Sequence, residues 1–436
     1  MFRFSNQLIL KVTRDCNLRC EYCYIHNKDN YKGEMIDFEL YKKTIERVIV
    51  ERRGNQELFS IIFHGGEPTL TPKKQMIKML TYAEKRLNEN SINHSFGMQS
   101  NLTLIDEEWC QILSKWNVQL GCSFDGVGDA NKKRTKTIKE KTFYNKFNLL
   151  KKFNVNFGFL MVIHEGNINN IIESVDFLRD NYGIESIKAN YVEDVNGIGG
   201  EVSGEDFFNK VWKLFIDEYI KTFTLREGNT KHLLSKFISD YLLVSKLTER
   251  SNCGSKICGG GMSIVEMEAD GEFQFCGRYS ENFKAARVEN VRDKDFLALK
   301  QLSRYTDFIR EKHQVILDAG CDTCIADGIC DHGCMAFYYS KFGKWGIRTD
   351  LTCDIHKSFY KYCVINIVEI INAIYNDEKM EDGIARYRLA NTALSIKQGS
   401  HLNELAKKYK LNLEIDKKDR RLLLIRKIDG KQETNT

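Results

Sequence analysis

The sequence predicts an α/β fold in which a parallel sheet is covered by helices. Six short runs rich in β-branched and aromatic residues alternate with longer stretches whose apolar residues recur at helical spacing. Repeated alternation of this kind indicates strand–helix units in a parallel sheet. The expected strands are Gln7–Thr13, Leu58–His64, Ser95–Gln99, Val118–Phe124, Val155–Ile163 and Ser186–Val192. The expected helices lie near Asp37–Arg52, Lys73–Asn88, Glu107–Trp116, Phe143–Phe153, Asn167–Asp180 and Asp206–Thr222.

Length and composition narrow the class of protein. The 436 residues are 42% hydrophobic and 29% charged, which is ordinary for a globular chain of two or three domains. A net charge of +5 over this length gives no reason to expect a nucleic-acid partner. No apolar run is long enough to cross a membrane, and no signal peptide is visible. We therefore expect a cytoplasmic protein without a membrane partner, whose 14 cysteines are metal ligands or thiols and not disulfides.

Three cysteines follow the first predicted strand at C-x3-C-x2-C spacing, namely Cys16, Cys20 and Cys23. Thiolates are the usual ligands of iron–sulfur clusters, and three of them leave one iron of a four-iron cluster open. The alternative is a structural zinc site, which needs a fourth ligand such as His26. Because reactive groups in such folds lie at the carboxyl ends of parallel strands, either site belongs at that edge of the sheet.

Glycine and polar residues stand at the ends of the next three predicted strands. The second strand runs into Gly65-Gly66-Glu67-Pro68, where two glycines let the backbone approach a ligand closely, an ordinary tight turn being the alternative. Arg134 lies beyond the fourth strand, and its guanidinium suits a carboxylate partner unless it is simply solvated. The polar residues that end the third and fourth strands are Ser100, Asn101, Ser123 and Asp125.

Together these motifs resemble those of the radical SAM enzymes, whose core is a partial (β/α)6 barrel. The resemblance implies that the cysteine trio holds a 4Fe-4S cluster whose open iron binds S-adenosyl-L-methionine (SAM). SAM is then cleaved to a 5'-deoxyadenosyl radical. In this family the Gly-Gly-Glu segment contacts the methionyl ammonium, and an arginine placed like Arg134 pairs with the SAM carboxylate. The SAM contacts implied by the resemblance are Tyr24, Gly65, Gly66, Glu67, Ser100, Asn101, Ser123, Asp125 and Arg134. Ser100, Leu102, Val127 and Asn131 depart from the residues usual in the family.

A second group of cysteines begins after residue 250. From Cys258 the spacing is C-x12-G-x4-C, then C-x2-C-x5-C-x3-C, then a last cysteine. This pattern resembles the seven-cysteine SPASM motif, two zinc ribbons being the alternative. The resemblance assigns Cys253, Cys258, Cys276 and Cys334 to a first auxiliary cluster, and Cys321, Cys324, Cys330 and Cys353 to a second. The protein would then hold three 4Fe-4S clusters. If Cys253 is not a ligand, the first auxiliary cluster has an open iron.

The same resemblance divides the chain into four segments. We expect a radical SAM partial barrel at 1–222, a helical linker at 223–252, a SPASM domain at 253–376 and an extension at 377–436. The extension is expected to contain a helix and a hairpin of Leu411–Ile415 with Arg421–Ile428. A basic edge strand there would capture a peptide by β-addition, or would only be a solvated cap.

The resemblance also implies a class of substrate. SPASM enzymes mostly modify peptides or proteins, so we expect oxidative modification of a ribosomally made precursor peptide by a thioether or carbon–carbon crosslink. The alternative is formylglycine formation in a sulfatase, because the core resembles the sulfatase maturases. Those enzymes carry a base aspartate directly after the second SPASM cysteine, whereas Gly277 follows Cys276 here, which favours the peptide maturase.

Weaker expectations concern the proton acceptor and the electron donor. Tyr279 and Asp125 are the candidate catalytic bases. A flavodoxin or ferredoxin is the expected reductant. An alternative of another class is a metal-binding protein without catalytic turnover.

Overall fold

The computed structural model describes the parts of the chain that position the site. The described residues are 5–23, 25, 34–192, 200–231, 233–234, 237, 259–261, 263–278, 287–291, 306–307, 310–311, 313–327, 330, 332–334, 336, 350–367, 369–370, 373, 411–415 and 422–426. They fall into two compact units. One comprises Met1–Val202, Arg250–Cys324 and Asp331–Thr349, and the other comprises Ser203–Glu249, Ile325–Cys330 and Asp350–Thr436.

The first unit is an α/β layer in which all six predicted strands and the helices between them are present. The strands are β1 (Gln7–Thr13), β2 (Phe59–Gly65), β3 (His94–Ser100), β4 (Gln119–Ser123), β5 (Phe157–Ile163), β6 (Ile187–Tyr191), β7 (Ile264–Met267), β8 (Glu272–Gln274) and β9 (Arg287–Asn290). The helices are α1 (Phe38–Arg52), α2 (Lys73–Glu89), α3 (Glu107–Lys115), α4 (Glu140–Lys152) and α5 (Ile171–Tyr182). The prediction of an α/β fold with a parallel sheet is therefore confirmed.

The sheet runs in the order β6-β5-β4-β3-β2-β1-β7-β8-β9. Strands β1 to β6 are mutually parallel, in chain order. Strand β7 pairs in parallel with the other edge of β1, with Gln7 opposite Ile264 and Leu10 opposite Met267. Strands β8 and β9 continue the sheet in antiparallel fashion. The sequence predicted β1 to β6 but gave no sign that residues near 265 extend the same sheet.

Alternating side chains divide the sheet into two faces. In β1, Leu8, Leu10 and Val12 are fully buried, and Lys11 lies on the opposite face. Helix α4 packs on the apolar face through Phe143 and Phe147, which lie 5.7 and 5.2 Å from the Phe124 ring centroid. The other face of the sheet, which carries Lys11, is the polar one.

Helix ends follow local capping rules. Asp37 caps α1 by accepting a hydrogen bond from Leu40 N at 3.3 Å, and Asp106 caps α3 through Trp109 N at 2.9 Å. Gly183 ends α5 in the left-handed conformation at φ 68°. These caps fix where each helix begins or ends, and so fix the lengths of the loops at the strand ends.

The described part of the second unit is mainly helical. It contains α6 (Gly204–Phe207), a π-helical turn at Phe208–Trp212, α7 (Lys213–Thr222) and α8 (Asp350–Ile365). The Trp212 ring packs edge-on against Phe359 at 5.9 Å. Strands β10 (Leu411–Ile415) and β11 (Leu422–Arg426) pair antiparallel, which confirms the predicted hairpin.

Among the described residues no helix combines the length and the apolarity needed to cross a membrane.

Candidate active site

The parallel strands β1 to β4 end at one edge of the sheet, and the candidate residues follow these ends. A loop of residues 14–23, here called the cysteine loop, leaves β1. Its neighbour β2 ends at Gly65, which lies opposite Thr13. Beyond it, β3 ends at Ser100, which lies opposite Cys122 of β4. The candidates from four separate segments therefore share one edge.

The cysteine loop presents its three thiols half-buried. Cys16 Sγ accepts a hydrogen bond from Leu18 N at 3.4 Å, and Cys23 N donates to Cys20 O at 3.1 Å. Burial raises the pKa of the Cys16 thiol, and it raises the pKa of the Cys20 thiol to about 12 although the charge of Arg134 opposes this. Thiols in such a setting become thiolates when a metal displaces their protons.

The donor set of this loop fits a four-iron cluster. No three Cys, His, Asp or Glu side chains of the described residues converge as ligands of a single metal ion. A four-iron cluster takes one thiolate per iron, so its ligands need not converge on one point. Backbone N–H donation to sulfur, as from Leu18 to Cys16, is also typical of such sites. Tyr24, the fourth predicted residue of this motif, lies outside the described residues.

Gly65, the last residue of β2, and Gly66 allow close contact with the end of β1 and the start of the cysteine loop. A Cβ on Gly65, whose φ is +132°, would lie 2.0 Å from Thr13 O, and one on Gly66 would lie 2.2 Å from Asp15 O. Gly66 N donates to Thr13 O at 2.9 Å. In this structure the glycines allow an approach of backbone to backbone, and their approach to a ligand stays a prediction.

The Glu67 side chain does not face open space. Its carboxylate is 1% exposed and accepts hydrogen bonds from Thr69 N at 3.0 Å, Thr69 Oγ1 at 2.5 Å, Ser100 Oγ at 2.8 Å and Asn101 N at 2.7 Å. Burial raises the pKa of this carboxyl, and the four donors oppose the rise. Glu67 thus ties the end of β2 to the end of β3.

Asn101, which donates its backbone N–H to Glu67, also contacts the cysteine loop. Its Nδ2 donates to Asn17 Oδ1 at 2.9 Å and lies 3.7 Å from Cys16 Sγ, within reach of a sulfur acceptor. The next residue, Leu102, adopts a left-handed φ of 71°, the conformation that favours glycine. The conformation needed at this point of the motif is therefore kept although leucine replaces glycine.

Just after the end of β4, Asp125 is buried, and each of its carboxylate oxygens accepts a hydrogen bond from the protein. Its carboxylate accepts hydrogen bonds from Tyr22 Oη of the cysteine loop and from Val162 N at 3.0 Å. Burial raises the pKa of the Asp125 carboxyl although the charge of Arg134 opposes this. Each carboxylate oxygen thus accepts one hydrogen bond within the protein, and the role of Asp125 as a catalytic base stays a prediction.

Arg134 and Ser123 belong to the same corner. Arg134 is 3% exposed and donates to the backbone oxygen of Ser123, so a solvated arginine is the wrong interpretation. Ser123 Oγ accepts from Gln99 Nε2 at 2.8 Å. Asn131 Oδ1 accepts a hydrogen bond from Asp125 N at 3.0 Å, which fixes the loop on which Arg134 lies.

A buried cluster of charges between β1 and β7 was missed by sequence reasoning. Lys11 Nζ lies 2.8 Å from Glu266 Oε1 and 2.9 Å from Glu268 Oε1. Arg14 Nε donates to Glu268 Oε2 at 2.5 Å. We call Lys11, Arg14, Glu266 and Glu268 the seam. The available signal was Lys11 itself, a cation within an apolar strand, but nothing local identifies partners some 250 residues away.

Burial and the neighbouring cations act in opposite directions on the pKa values of the two seam carboxylates, Glu266 and Glu268. Burial raises the pKa of the Glu266 carboxyl, whereas at Glu268 the effect of burial is outweighed by the charges of Lys11 and Arg14, which lower the pKa. Burial also lowers the pKa of the neighbouring His64 to about 4, and Lys11 adds to that effect. A Cβ on Gly277 would lie 2.3 Å from Glu266 Oε2, so the seam reaches the residue after Cys276.

The predicted auxiliary ligands are described in part. In the first unit, Cys276 follows β8, Cys321 begins a 3-10 turn (Cys321–Thr323), and Cys324 N donates to Cys321 O at 3.0 Å. The half-buried Cys334 belongs to the same unit, whereas Cys330 and the buried Cys353 belong to the second. Cys253, Cys258 and Tyr279 lie outside the described residues.

Comparisons with known proteins find relatives of this chain. Residues 10–178 match the model of the radical SAM superfamily. A cysteine-type anaerobic sulfatase-maturating enzyme from Clostridium perfringens is 25% identical over 382 residues, covering 84% of this chain and 98% of the relative.

Two solved structures share the fold. One is anSMEcpe with bound AdoMet and Cp18Cys peptide, at a TM-score of 0.70 and 22% identity, covering 85% of this chain and 99% of that one. The other is Streptococcus suis SuiB bound to precursor peptide SuiA, at a TM-score of 0.57 and 16% identity, covering 80% and 76% of the two chains.

Proposed function

Residues 10–178 form a radical SAM domain, and from this premise we propose that the protein uses SAM to modify a ribosomally made precursor peptide oxidatively. The observation that carries the proposal is the cysteine loop, with three thiols held at the carboxyl edge of a parallel sheet. The protein is an enzyme homologous to anaerobic sulfatase-maturating enzymes.

Three 4Fe-4S clusters are proposed. Cys16, Cys20 and Cys23 would hold the first. The eight cysteines of the SPASM-like pattern would hold the other two, with Cys253, Cys258, Cys276 and Cys334 separate from Cys321, Cys324, Cys330 and Cys353. When bound, these groups supply the electron that cleaves SAM to a 5'-deoxyadenosyl radical and an acceptor for the electron that the substrate loses.

The protein's own residues fix the cysteine loop. Tyr22, through Asp125, holds the loop against β4, while Asn17, through Asn101, holds it against β3. A backbone bond from Glu67 N to Asp15 O at 2.8 Å holds it against the end of β2. The remaining proposed SAM contacts are Tyr24, Gly65, Ser100, Ser123 and Arg134. Tyr279 and Asp125 are the candidate proton acceptors.

The contact between Gly277 and Glu266 supports a peptide maturase. A Cβ at position 277 would lie 2.3 Å from Glu266 Oε2, so an aspartate after Cys276 would require the Glu266 carboxylate to move. This supports a reaction that does not use a base at that place.

Formylglycine formation in a sulfatase is the second candidate. It is favoured by the C. perfringens relative, of which this chain covers 98%. Both candidates take a peptide or protein substrate, and both use a cytoplasmic reductant such as a flavodoxin or ferredoxin.

One assay distinguishes the two candidate functions. Anaerobically reconstituted protein is incubated with SAM and dithionite, either with peptides from short reading frames beside its gene or with a cysteine-containing sulfatase-motif peptide. We expect a gene-neighbour peptide to lose two hydrogen atoms without losing sulfur. Conversion of cysteine to formylglycine in the sulfatase peptide alone would establish the second candidate. The Cys16→Ala variant controls for non-enzymatic oxidation.

A further inference from the structure

The Glu67 carboxylate accepts four hydrogen bonds from the protein. Oε1 accepts from Thr69 N, Thr69 Oγ1 and Ser100 Oγ, and Oε2 accepts from Asn101 N. An ionised carboxylate offers about four lone-pair sites, two on each oxygen, so Oε1 is saturated and Oε2 keeps one acceptor site. The side chain is 1% exposed. An ammonium group would have to open this packing to reach the remaining site on Oε2.

The bonds of Glu67 lead toward the cysteine loop. Oε2 holds the backbone N–H of Asn101 at 2.7 Å, and Asn101 Nδ2 lies 3.7 Å from Cys16 Sγ. The Asn101 side chain is fixed further by Thr103, whose Oγ1 donates to Asn101 Oδ1 at 2.6 Å. Because Oδ1 is engaged in this way, the amide N–H groups are directed at the loop.

We infer that Glu67 and Asn101 are positioning residues for the Cys16 sulfur, and that the Glu67 side chain does not bind the amino group of the cosubstrate. Glu67 fixes Asn101, and Asn101 donates to the sulfur. The inference rests on the proposed function, because it presumes an iron–sulfur cluster on Cys16.

The arrangement has an electrochemical consequence. Hydrogen bonds to cluster sulfurs stabilise the more negative, reduced state and raise the reduction potential. Losing the Asn101 donor therefore lowers the potential of the cluster on Cys16. A residue that only stabilised the fold would not shift this potential selectively.

Three variants test the inference. In Glu67→Gln the amide oxygen can keep the donors of Oε1, and its NH2 group then faces Asn101 N–H, so the link to Asn101 is lost. Asn101→Leu removes the donor to sulfur directly at similar volume. Thr69→Val is the matched control, since it removes a donor from Oε1 and leaves the Oε2 bond to Asn101.

The measurement is an EPR-monitored redox titration of the full chain, reconstituted anaerobically, before SAM is added. The relevant cluster is identified as the one whose signal changes on SAM addition. We expect a lower potential in Glu67→Gln and Asn101→Leu and the wild-type potential in Thr69→Val. We also expect about tenfold faster loss of this cluster's iron to a chelator in the first two variants.

Other outcomes overturn the inference. An unchanged potential in Asn101→Leu would do so even if Glu67→Gln failed to fold. A Glu67→Gln protein with an unchanged potential and a weakened SAM affinity would assign Glu67 to the cosubstrate. A shift in Thr69→Val equal to that in Glu67→Gln would show that the path does not run through Asn101. If the wild-type protein bound no iron, the proposed function itself would fail, which is a separate result.

Discussion

The cysteine loop is held on its two sides by different kinds of interaction. Toward β2–β4, the carboxylates of Glu67 and Asp125 are satisfied mostly by uncharged donors such as Thr69, Asn101 and Tyr22. Toward β7, the seam pairs the buried Lys11 and the half-buried Arg14 with two buried carboxylates. Both arrangements exclude water, but they differ in what a single substitution removes.

The difference lies in the cost of an unmatched partner. Losing one uncharged donor from a carboxylate that keeps others costs about 1 kcal/mol. Losing one ion of a buried pair leaves an uncompensated charge, which costs about 3–5 kcal/mol. The seam should therefore dominate the stability of this edge, while the side toward β2–β4 governs the fine placement of the cysteines.

The largest effect is expected from Lys11→Met. The substitution removes the cation that contacts both Glu266 and Glu268, so the free energy of unfolding should fall by about 3–5 kcal/mol. Chemical denaturation measures it. Lys188→Met on β6 is the control, because Lys188 is exposed and should change stability by less than about 0.5 kcal/mol. Equal losses of unfolding free energy in both variants would show that the seam does not dominate the stability of this edge.

Gly66→Ala tests the backbone contact between β2 and the cysteine loop. The added Cβ would lie 2.2 Å from Asp15 O and 2.3 Å from Arg14 O, so the loop must move, at about 1–3 kcal/mol. Iron content after reconstitution should fall as well. Gly158→Ala, whose Cβ would meet nothing within 4 Å, should retain iron and stability. Full iron retention in Gly66→Ala would show that the contact does not position the cysteines.

Glu266→Gln tests the protonation of the seam. Because burial raises the Glu266 pKa, this group favours the folded state at acidic pH. That contribution is lost as the pH rises from the usual glutamate value of about 4.3 through the raised folded value. Glu266→Gln should flatten this decline in stability, measured as unfolding free energy against pH. An unchanged slope would mean that Glu266 is ionised throughout the range.

Thr69→Val is expected to have the smallest effect. It removes one of three donors to Glu67 Oε1 and keeps the volume of the side chain, so the loss should be about 1 kcal/mol. Denaturation midpoints compared with those of Lys11→Met measure the contrast directly. A loss of unfolding free energy as large as that of Lys11→Met would show that the two sides contribute equally to stability.

The sequence predicts the side toward β2–β4 well because its signals are local. Strand periodicity placed β1 to β6, and short motifs marked the residues after each strand. Even so, the motif assigned Glu67 to a ligand, whereas its four bonds depend on Thr69, Ser100 and Asn101 lying in one place. Motif spacing carries no information on which polar groups saturate one another.

The seam escapes prediction for a different reason. Pairing of β1 with β7 joins residues some 257 positions apart, and Glu266 and Glu268 look like the polar positions of an ordinary half-exposed strand. Only the sheet order shows that both carboxylates are buried against Lys11.

The central claim is that the cysteine loop holds the cluster that cleaves SAM. The most direct test compares iron, sulfide and 5'-deoxyadenosine release in the wild type and in a variant carrying Cys16→Ala, Cys20→Ala and Cys23→Ala. The account predicts about twelve irons per chain in the wild type, about four fewer in the variant, and no 5'-deoxyadenosine from the variant. Zinc in place of iron in the wild type, or SAM cleavage by the variant, would contradict it.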